Sequence, residues 1–598
     1  MPLRTIIKNN WIYFTILAIG TLINNYWVIT ARNGFLMDDY NWLKLVQFTP
    51  VQDIFNFLPN MPYNDRPVGA IFIKILYYFW RSDSFFFHLA LLCLHIFNTF
   101  MVFVVLKKAL IRLQKKDPAN IAFTAALIFG MWPNSTMAVQ WIAAIFDLLG
   151  GTFFLLSTDL FLDATDKKKE PQKLFNILFC LVFYYLGLRT KEMVIVLPVI
   201  FLLFHWLRQM ERSGNPFKQL SSYRPPGFIF LHLFVMVFYF SWIMILKTGT
   251  TNVTTSVESP YYYSFDPTVI LVSFFKYITI FFQFSNTSFS FTAFTPVPLI
   301  CIGLFLILVG YSVFLLAKGR SSLFILCLMV AVALGPVLPM ANMQHRLYWY
   351  IPSIFMATLM ALILNHGFES LGRHKGIYIL LLTAIGLFLL THTSGVKSFR
   401  GYWASLCQKD RISIQDIKKM PVPGGFNQIY VQNTSGYNVF FYGPGDINTL
   451  IFNRPDLKTY LSLGAVEDAT APIYTMAYHP DGHVDFTGIK SYAELIAINP
   501  LPQMKIKNWG PSSVKSGEKF NQQPDGRSAV WIVGVNFNRH AVIIWNGKEL
   551  LTFQDPQDTV LTASVPDKWY ANPGQYPLFI KDTRTGKQTE PVYFQVLR

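Results

Sequence analysis

The stretch WIYFTILAIGTLINNYWVIT, residues 11–30, sets how the whole chain is read. It holds no Lys, Arg, Asp or Glu, and it has the roughly 20 residues that a helix needs to cross a hydrocarbon core about 30 Å thick. No small-residue cleavage site follows it, so it is expected to stay as a span rather than leave as a signal peptide. Similar apolar runs recur near 84–106, 119–133, 147–162, 174–188, 193–207, 228–246, 296–316, 322–339, 349–366 and 376–392. With the first, they predict about eleven crossings of an α-helical polytopic membrane domain over 1–393. The apolar stretch near 68–80 follows a charged loop and reads as a re-entrant or surface helix. The run 268–284 is ambiguous on hydropathy alone.

Lys and Arg are concentrated in every second loop. With the N-terminus cytoplasmic, one side receives Lys107, Lys108, Arg112, Lys115 and Lys116; Lys167 to Lys169; Arg208, Arg212 and Lys218; Lys318 and Arg320; and Arg373 and Lys375. That is the positive-inside pattern, and an odd number of crossings then places everything from residue 394 on the extracytoplasmic side. Counting 268–284 as a crossing would turn the Lys318/Arg320 loop outward, so it is read as lying along the outer interface. The composition agrees, since 53% hydrophobic and 14% charged residues exclude an ordinary soluble domain. A net charge of +17 would point to nucleic acid in a soluble chain. Held in short loops it reports topology, and no nucleic-acid partner is expected. Four of the five cysteines lie in apolar runs, the fifth is Cys407, and none has metal-ligand spacing.

The tail divides near Pro500–Trp509. Residues 394–503 mix short strands (Gln428–Val431, Val439–Tyr442, Ile473–Ala477) with polar helical stretches, as in a small α/β module. Residues 504–598 alternate strands and turns: Ala529–Phe537, Val542–Trp545 before the hairpin signal Asn546-Gly547, Val560–Val565, Leu578–Lys581 and Val592–Val596. That spacing predicts a β-sandwich.

Chemistry is expected in the outer loops, because charges near a bilayer are costly to bury. Asp38 and Asp39 are adjacent carboxylates shortly after the first span. They suit a general base, a hydroxyl acceptor or a ligand for a divalent metal ion beside a phosphate. The plainer reading is a solvated turn. Arg66, the Arg189-Thr190-Lys191-Glu192 run and His345-Arg346 fall in other outer loops, where their cations could clamp a phosphate. Taken singly, each reads first as an interfacial anchor or a salt-bridge partner, since Lys and Arg often snorkel at helix ends. Tyr26, Trp27, Trp42, Trp141, Tyr348, Trp349 and Tyr350 form an interfacial belt by default, with sugar stacking as the functional alternative.

In order along the chain, these elements resemble the GT-C glycosyltransferases, specifically bacterial relatives of the protein O-mannosyltransferases and of the tetratricopeptide-containing membrane O-mannosyltransferases. The resemblance rests on Asp38-Asp39, Arg66-Pro67, the run Phe87 to Asn98 with His88 and His95, Trp132-Pro133 followed by Ala138-Val139-Gln140-Trp141-Ile142, Asp147-Leu148-Leu149, Lys191-Glu192 with Leu197-Pro198, and Arg346 with Tyr350-Ile351-Pro352-Ser353. The chain departs from the family at Trp132, Ser135 and Met137, which stand where it carries His, His and Glu. No tetratricopeptide repeats follow the spans. In their place Gly534-Val535-Asn536-Phe537 and Val565-Pro566 resemble the IPT/TIG immunoglobulin-like family.

The resemblance implies a GT-C-like catalytic domain in the bacterial inner membrane that transfers a sugar, with inversion, from a polyprenyl-phosphate donor to a protein, glycan or lipid acceptor. It implies Asp38 as the leading catalytic base with Asp39 as alternate, Arg66, Lys191 and Arg346 holding the donor phosphate, and Asp147 and Glu192 orienting them. No cofactor beyond a divalent metal ion comes into question. Two other classes fit the hydropathy: a lipid or solute transporter, which predicts polar groups on interrupted helices near the midplane, and a membrane-anchored surface binding protein, for which one span would suffice.

Overall fold

In the computed structural model the chain is described over residues 3–30, 34–55, 66–165, 170–213, 223–248, 262–282, 296–371, 400–422, 424–434, 438–440, 446–523, 526–555 and 559–598. The expected span 376–392 and the loop cations Lys167 to Lys169, Lys218, Arg373 and Lys375 lie outside these residues. Two compact units are formed, Met1–Asp410 and Arg411–Arg598.

The first unit is built of helices: α1 (Leu3–Asn25), α2 (Trp27–Thr30), α3 (Asp39–Phe48), α4 (Val51–Ile54), α5 (Pro67–Trp80), α6 (Ser84–Arg112), α7 (Pro118–Met131), α8 (Pro133–Gln140), α9 (Ile145–Ala164), α10 (Glu170–Leu188), α11 (Leu197–Ser213), α12 (Phe228–Thr248), α13 (Pro267–Phe282), α14 (Pro296–Ala317), α15 (Ser322–Leu334), α16 (Pro352–Leu371) and α17 (400–419), within which the division between the units falls. Six of them, α5, α7, α8, α13, α14 and α16, open on proline, whose missing N–H costs nothing in a first turn and whose ring fixes φ for the helix. Short 3-10 turns at Ile142–Ala144, Glu192–Val196 and Arg346–Trp349 lead into α9, α11 and α16.

Five stretches are long and apolar enough to cross a membrane by length and composition: Ser84–Arg112, Ile142–Ala164, Pro171–Leu188, Glu192–Arg212 and Leu299–Ala317. Shorter apolar helices accompany them, and the chain is a polytopic integral membrane protein. The expected count of eleven is therefore not reached by this measure among the described residues. Residues 68–80 form the helix α5, and 268–284 is helical as α13, whose 16 residues cover only about 24 Å. Burial sorts the spans. In the best window of Ile142–Ala164, 72% is buried inside the protein, against 22% for Leu299–Ala317, so α9 is central and α14 is peripheral.

Where α6, α7, α9 and α16 meet, a polar knot joins them. The Tyr350 hydroxyl lies 2.9 Å from His95 Nδ1, and His95 Nε2 lies 3.1 Å from the Gly130 carbonyl. Asn98 donates to Tyr350 Oη and to the Leu148 carbonyl, and accepts from Thr152. Gly130 can only accept, so Nε2 carries the imidazole proton and Tyr350 donates to Nδ1. The imidazole, the phenol and the Asn98 side chain thus satisfy one another, as buried polar groups in a membrane must.

In the second unit a four-stranded sheet runs in the order β2-β1-β3-β4, built from β1 (Gln428–Gln432), β2 (Lys458–Tyr460), β3 (Ile473–Tyr478) and β4 (Val484–Lys490). β1 is parallel to β2 and β3, and β4 returns antiparallel. Helices α18 (Asp446–Phe452) and α19 (Tyr492–Ile498) accompany it, the latter opened by a Ser491/Glu494 capping box. The strand expected at Val439–Tyr442 is not formed, since Val439 and Phe440 lie in a turn; residues 441 and 442 are outside the described residues.

The remainder forms two sheets around one apolar core that includes Val530, Ile532, Trp545, Leu561, Leu578 and Phe594. β5 (Lys505–Gly510), β7 (Ser528–Val535), β10 (Thr552–Gln554) and β11 (Val560–Val565) make the order β10-β11-β7-β5. β6 (Ser513–Lys515), β8 (Ala541–Trp545), β9 (Lys548–Glu549), β12 (Gly574–Asp582) and β13 (Val592–Leu597) make β6-β13-β12-β8-β9. Asn546 and Gly547, at φ 46° and 75°, turn β8 into β9 as a two-residue hairpin requires. At Gly534 a Cβ would come within 2.2 Å of the Phe537 ring and 2.4 Å of the Lys505 carbonyl oxygen, so only glycine fits.

Candidate active site

The turn before α3 separates the two neighbouring aspartates. Met37 takes φ 55°, unusual for a residue with a side chain, and Asp38 then caps α3 without a side-chain capping bond. Asp39 points into the protein. Its Oδ2 accepts from the Leu36 amide at 2.8 Å and its Oδ1 from the Ala143 amide at 2.7 Å, in the 3-10 turn ahead of α9. Both of its oxygens are thus committed to backbone amides. Burial pushes the Asp39 carboxyl well above the usual range, against the pull of the two amides. Asp38 is only partly buried; burial raises its carboxyl too, opposed by the nearby Arg66 guanidinium.

Arg66 stands at the start of α5, with Nη2 2.9 Å from both carboxylate oxygens of Glu192. Its guanidinium also lies over the Phe146 ring, 5.8 Å from the centroid. Gly69 makes that approach feasible, because a Cβ there would fall 2.2 Å from the same ring. Phe146 in turn packs on Trp42 of α3 at 4.4 Å. Lys191 places Nζ 3.2 Å from Asp147 Oδ2 and 3.9 Å from Glu192 Oε1, and lies 5.3 Å over the Tyr348 ring. Gly150 lets the Lys191 stem cross α9, since a Cβ would sit 2.9 Å from Lys191 Cβ.

Arg66, Glu192, Lys191 and Asp147 therefore form a continuous run of alternating charge, set by α5, the turn before α11 and the start of α9, with Asp38 at the start of α3 near enough to feel the Arg66 charge. His345 extends it. Burial first, then the neighbouring Lys191 and Arg346 cations, lowers its imidazole to about 4, so it is neutral at physiological pH. Arg346 opens the 3-10 turn that follows His345, and burial lowers its guanidinium from the ordinary value. Of the seven expected residues, Arg66, Glu192, Lys191 and Asp147 are joined by ion pairs, while Asp39 is turned into a backbone clamp. Each Asp39 oxygen already accepts one backbone amide, and among the described residues no group of three His, Cys, Asp or Glu is placed to hold a metal.

The positions where the family resemblance fails are filled by packing. Trp132 stacks on Phe281 at 4.2 Å and 14°, and the Ser135 hydroxyl donates to the Trp132 carbonyl. Three contributors had no signal in sequence: the Ala143 amide, the Phe146 ring under Arg66, and Tyr40, whose hydroxyl lies 3.2 Å from Asp410 Oδ2. A backbone amide cannot be read from residue type, and the other contacts join segments far apart in the chain.

No protein-family model and no curated protein matches the chain. Solved structures that align with it include the oligosaccharyltransferase of Archaeoglobus fulgidus in complex with zinc and sulfate, at 13% identity and a TM-score of 0.41 over 73% of this chain and 61% of that one. They also include ArnT from Cupriavidus metallidurans, bound to undecaprenyl phosphate (10% identity, TM-score 0.43) and in the apo state (12%, 0.44), each over 84% of this chain and 96% of that one. The chain thus spans about three-fifths of the oligosaccharyltransferase's length. Overlays this loose do not place the chain in either group.

Proposed function

We propose that the chain is a membrane glycosyltransferase of GT-C type that moves a sugar from a polyprenyl-phosphate donor to a hydroxyl on a protein or glycan acceptor at the extracytoplasmic face. The observation that carries this is the charged run itself: a partly buried carboxylate, Asp38, within electrostatic reach of a pre-ordered series of cations on irregular backbone. In the reaction the acceptor oxygen attacks the anomeric carbon as Asp38 takes the hydroxyl proton. The carbon–oxygen bond to phosphate breaks, and the polyprenyl phosphate leaves with the electron pair, giving inversion. Arg66, Lys191 and Arg346 stabilise the charge that collects on the leaving phosphate. Glu192 holds Arg66 in place until the donor arrives, and Asp147 fixes Lys191. Asp39 acts as the clamp on the turn that carries Asp38, which favours Asp38 over Asp39 as base.

The transporter alternative draws less support. Its expected functional groups are unsatisfied polar side chains among the spans, whereas the His95, Asn98 and Tyr350 groups between the helices satisfy one another. The two-sheet region at 504–598, read as IPT/TIG-like, would orient or recruit the acceptor. Its deletion should leave donor binding intact and reduce transfer to the natural acceptor. The proposal as a whole is tested with membranes containing the protein and radiolabelled polyprenyl-phosphate sugars. Label should move to protein or glycan with wild type and not with Asp38→Asn. Absence of transfer from every labelled donor, or equal transfer by Asp38→Asn, overturns it.

A further inference from the structure

The turn that carries Asp38 is held from two sides. On one, Asp39 ties the Leu36 amide to the Ala143 amide. On the other lies the first half of α17. Arg400 donates to the Asn24 carbonyl at 2.7 Å and lies 4.6 Å over the Trp27 ring. About two turns on, the Cys407 carbonyl oxygen is 3.9 Å from where a Cβ on Gly34 would stand. Next comes Asp410, 2% exposed, with Oδ2 3.2 Å from the Tyr40 hydroxyl. That hydroxyl is also 2.9 Å from the Phe35 carbonyl, so Tyr40 joins the end of the turn to its beginning. Tyr40 is itself only 2% exposed.

We propose that Asp410 is a positioning residue: through the Tyr40 hydroxyl it fixes the Phe35–Tyr40 turn, and with it the carboxylate of Asp38. The step from contact to function is geometric. A base displaced by about 1 Å can lose on the order of 100-fold in rate. The Asp38 side chain has no capping bond of its own, so its place depends on the backbone beneath it. That backbone has a residue at positive φ, Met37, which persists only where its surroundings over-determine it. Asp410, through Tyr40, and Asp39, through the Leu36 and Ala143 amides, supply those surroundings. The inference rests on the reading of Asp38 as base, and it adds a residue from a part of the chain that carried no functional signal.

The test uses the full-length protein and four variants: Asp410→Ala, Asp410→Asn, Tyr40→Phe and the double variant Tyr40→Phe/Asp410→Ala. Asp410→Ala should lower kcat at saturating donor by about tenfold to 100-fold, with the donor KM within about twofold of wild type. Asp410→Asn, whose amide can donate to the Tyr40 oxygen while the hydroxyl stays on the Phe35 carbonyl, should restore most of the rate. Tyr40→Phe, which also removes the bond to the Phe35 carbonyl, should lose at least as much as Asp410→Ala, and the double variant should be no worse than Tyr40→Phe, because the Asp410 contact is then already gone. Amide hydrogen exchange over residues 35–40 should quicken in Asp410→Ala and not in Asp410→Asn. A kcat for Asp410→Ala within twofold of wild type, or losses that add in the double variant, overturns the assignment. If the wild type transfers no sugar from any donor, the proposed function fails by itself. The exchange measurement then still decides Asp410, and unchanged protection in Asp410→Ala overturns it.

Discussion

The two ends of α9 carry similar charges and differ in what those charges hold. At the far end, Asp163 receives Lys108 at 3.1 Å and Arg112 at 3.2 Å, and Glu211 receives Lys115 together with the Ser321 and Ser322 hydroxyls. Most of these groups sit on regular helix, and the pairs lace α6, α9, α11 and the start of α15 together. At the near end, about 24 Å away along the axis, Asp147 receives Lys191, and the run continues to Glu192, Arg66 and Asp38. Here the partners sit on 3-10 turns, a helix cap and a strained turn. Buried ion pairs alone do not mark a site. What separates the two ends is irregular backbone with a carboxylate left uncapped, and that combination is what chemistry on a phosphate ester would need.

The comparison is broken most forcefully at Lys191. Lys191→Met leaves Asp147 buried beside no ammonium, a change that costs about 3–5 kcal/mol in a buried pair. Transfer should be abolished and donor binding weakened, as measured by donor titration together with thermal melting. The same substitution at the far end, Lys108→Met, should act on stability alone. Both partners there are about a quarter exposed, so melting should fall by a smaller amount while kcat and the donor KM stay within about twofold. Loss of transfer in Lys108→Met at unchanged stability would erase the distinction between the ends.

Two milder changes sharpen it. Gly69→Ala puts a methyl 2.2 Å from Phe146, so α5 must shift and carry Arg66 with it. A destabilisation of about 1–3 kcal/mol is expected, with weaker donor binding, read by melting and titration. Arg66→Gln removes the charge that opposes the burial of Asp38. The Asp38 carboxyl should then rise further, and the acid limb of the kcat profile, already above the ordinary carboxylate range, should move to higher pH. The sign follows because a base is active only once deprotonated, and activity is lost as pH falls through its raised value. A limb that moved to lower pH would exclude Asp38 as the titrating group.

How much of this was legible in the sequence varies with the physics involved. Helices were legible as apolar runs because lipid forces backbone bonds inside each segment. Asn546-Gly547 was legible because a two-residue hairpin turn needs positive φ at both positions. The charged run was legible as residue types, Arg66, Asp147, Lys191, Glu192 and Arg346, and the ion pairs join the first four of these. The division of labour between Asp38 and Asp39 was not legible. It depends on an amide 104 residues away at Ala143 and on a strained Met37. Asp410, 370 residues from Tyr40, lies on a helix with no motif to point at it. The strand expected at Val439 failed for the opposite reason, since a short apolar run fits a turn as readily as an edge strand.

The most direct test of the account compares Asp38→Asn with Asp39→Asn in single-turnover transfer, with donor affinity measured on the same preparations. Asp38→Asn should keep donor affinity within about twofold and lose on the order of 100-fold or more in the transfer step. Asp39→Asn should instead lower the melting temperature, because its NH2 would face a backbone N–H where a carboxylate oxygen now accepts. Near-normal transfer by Asp38→Asn would contradict the assignment of Asp38 as the base on which the account turns.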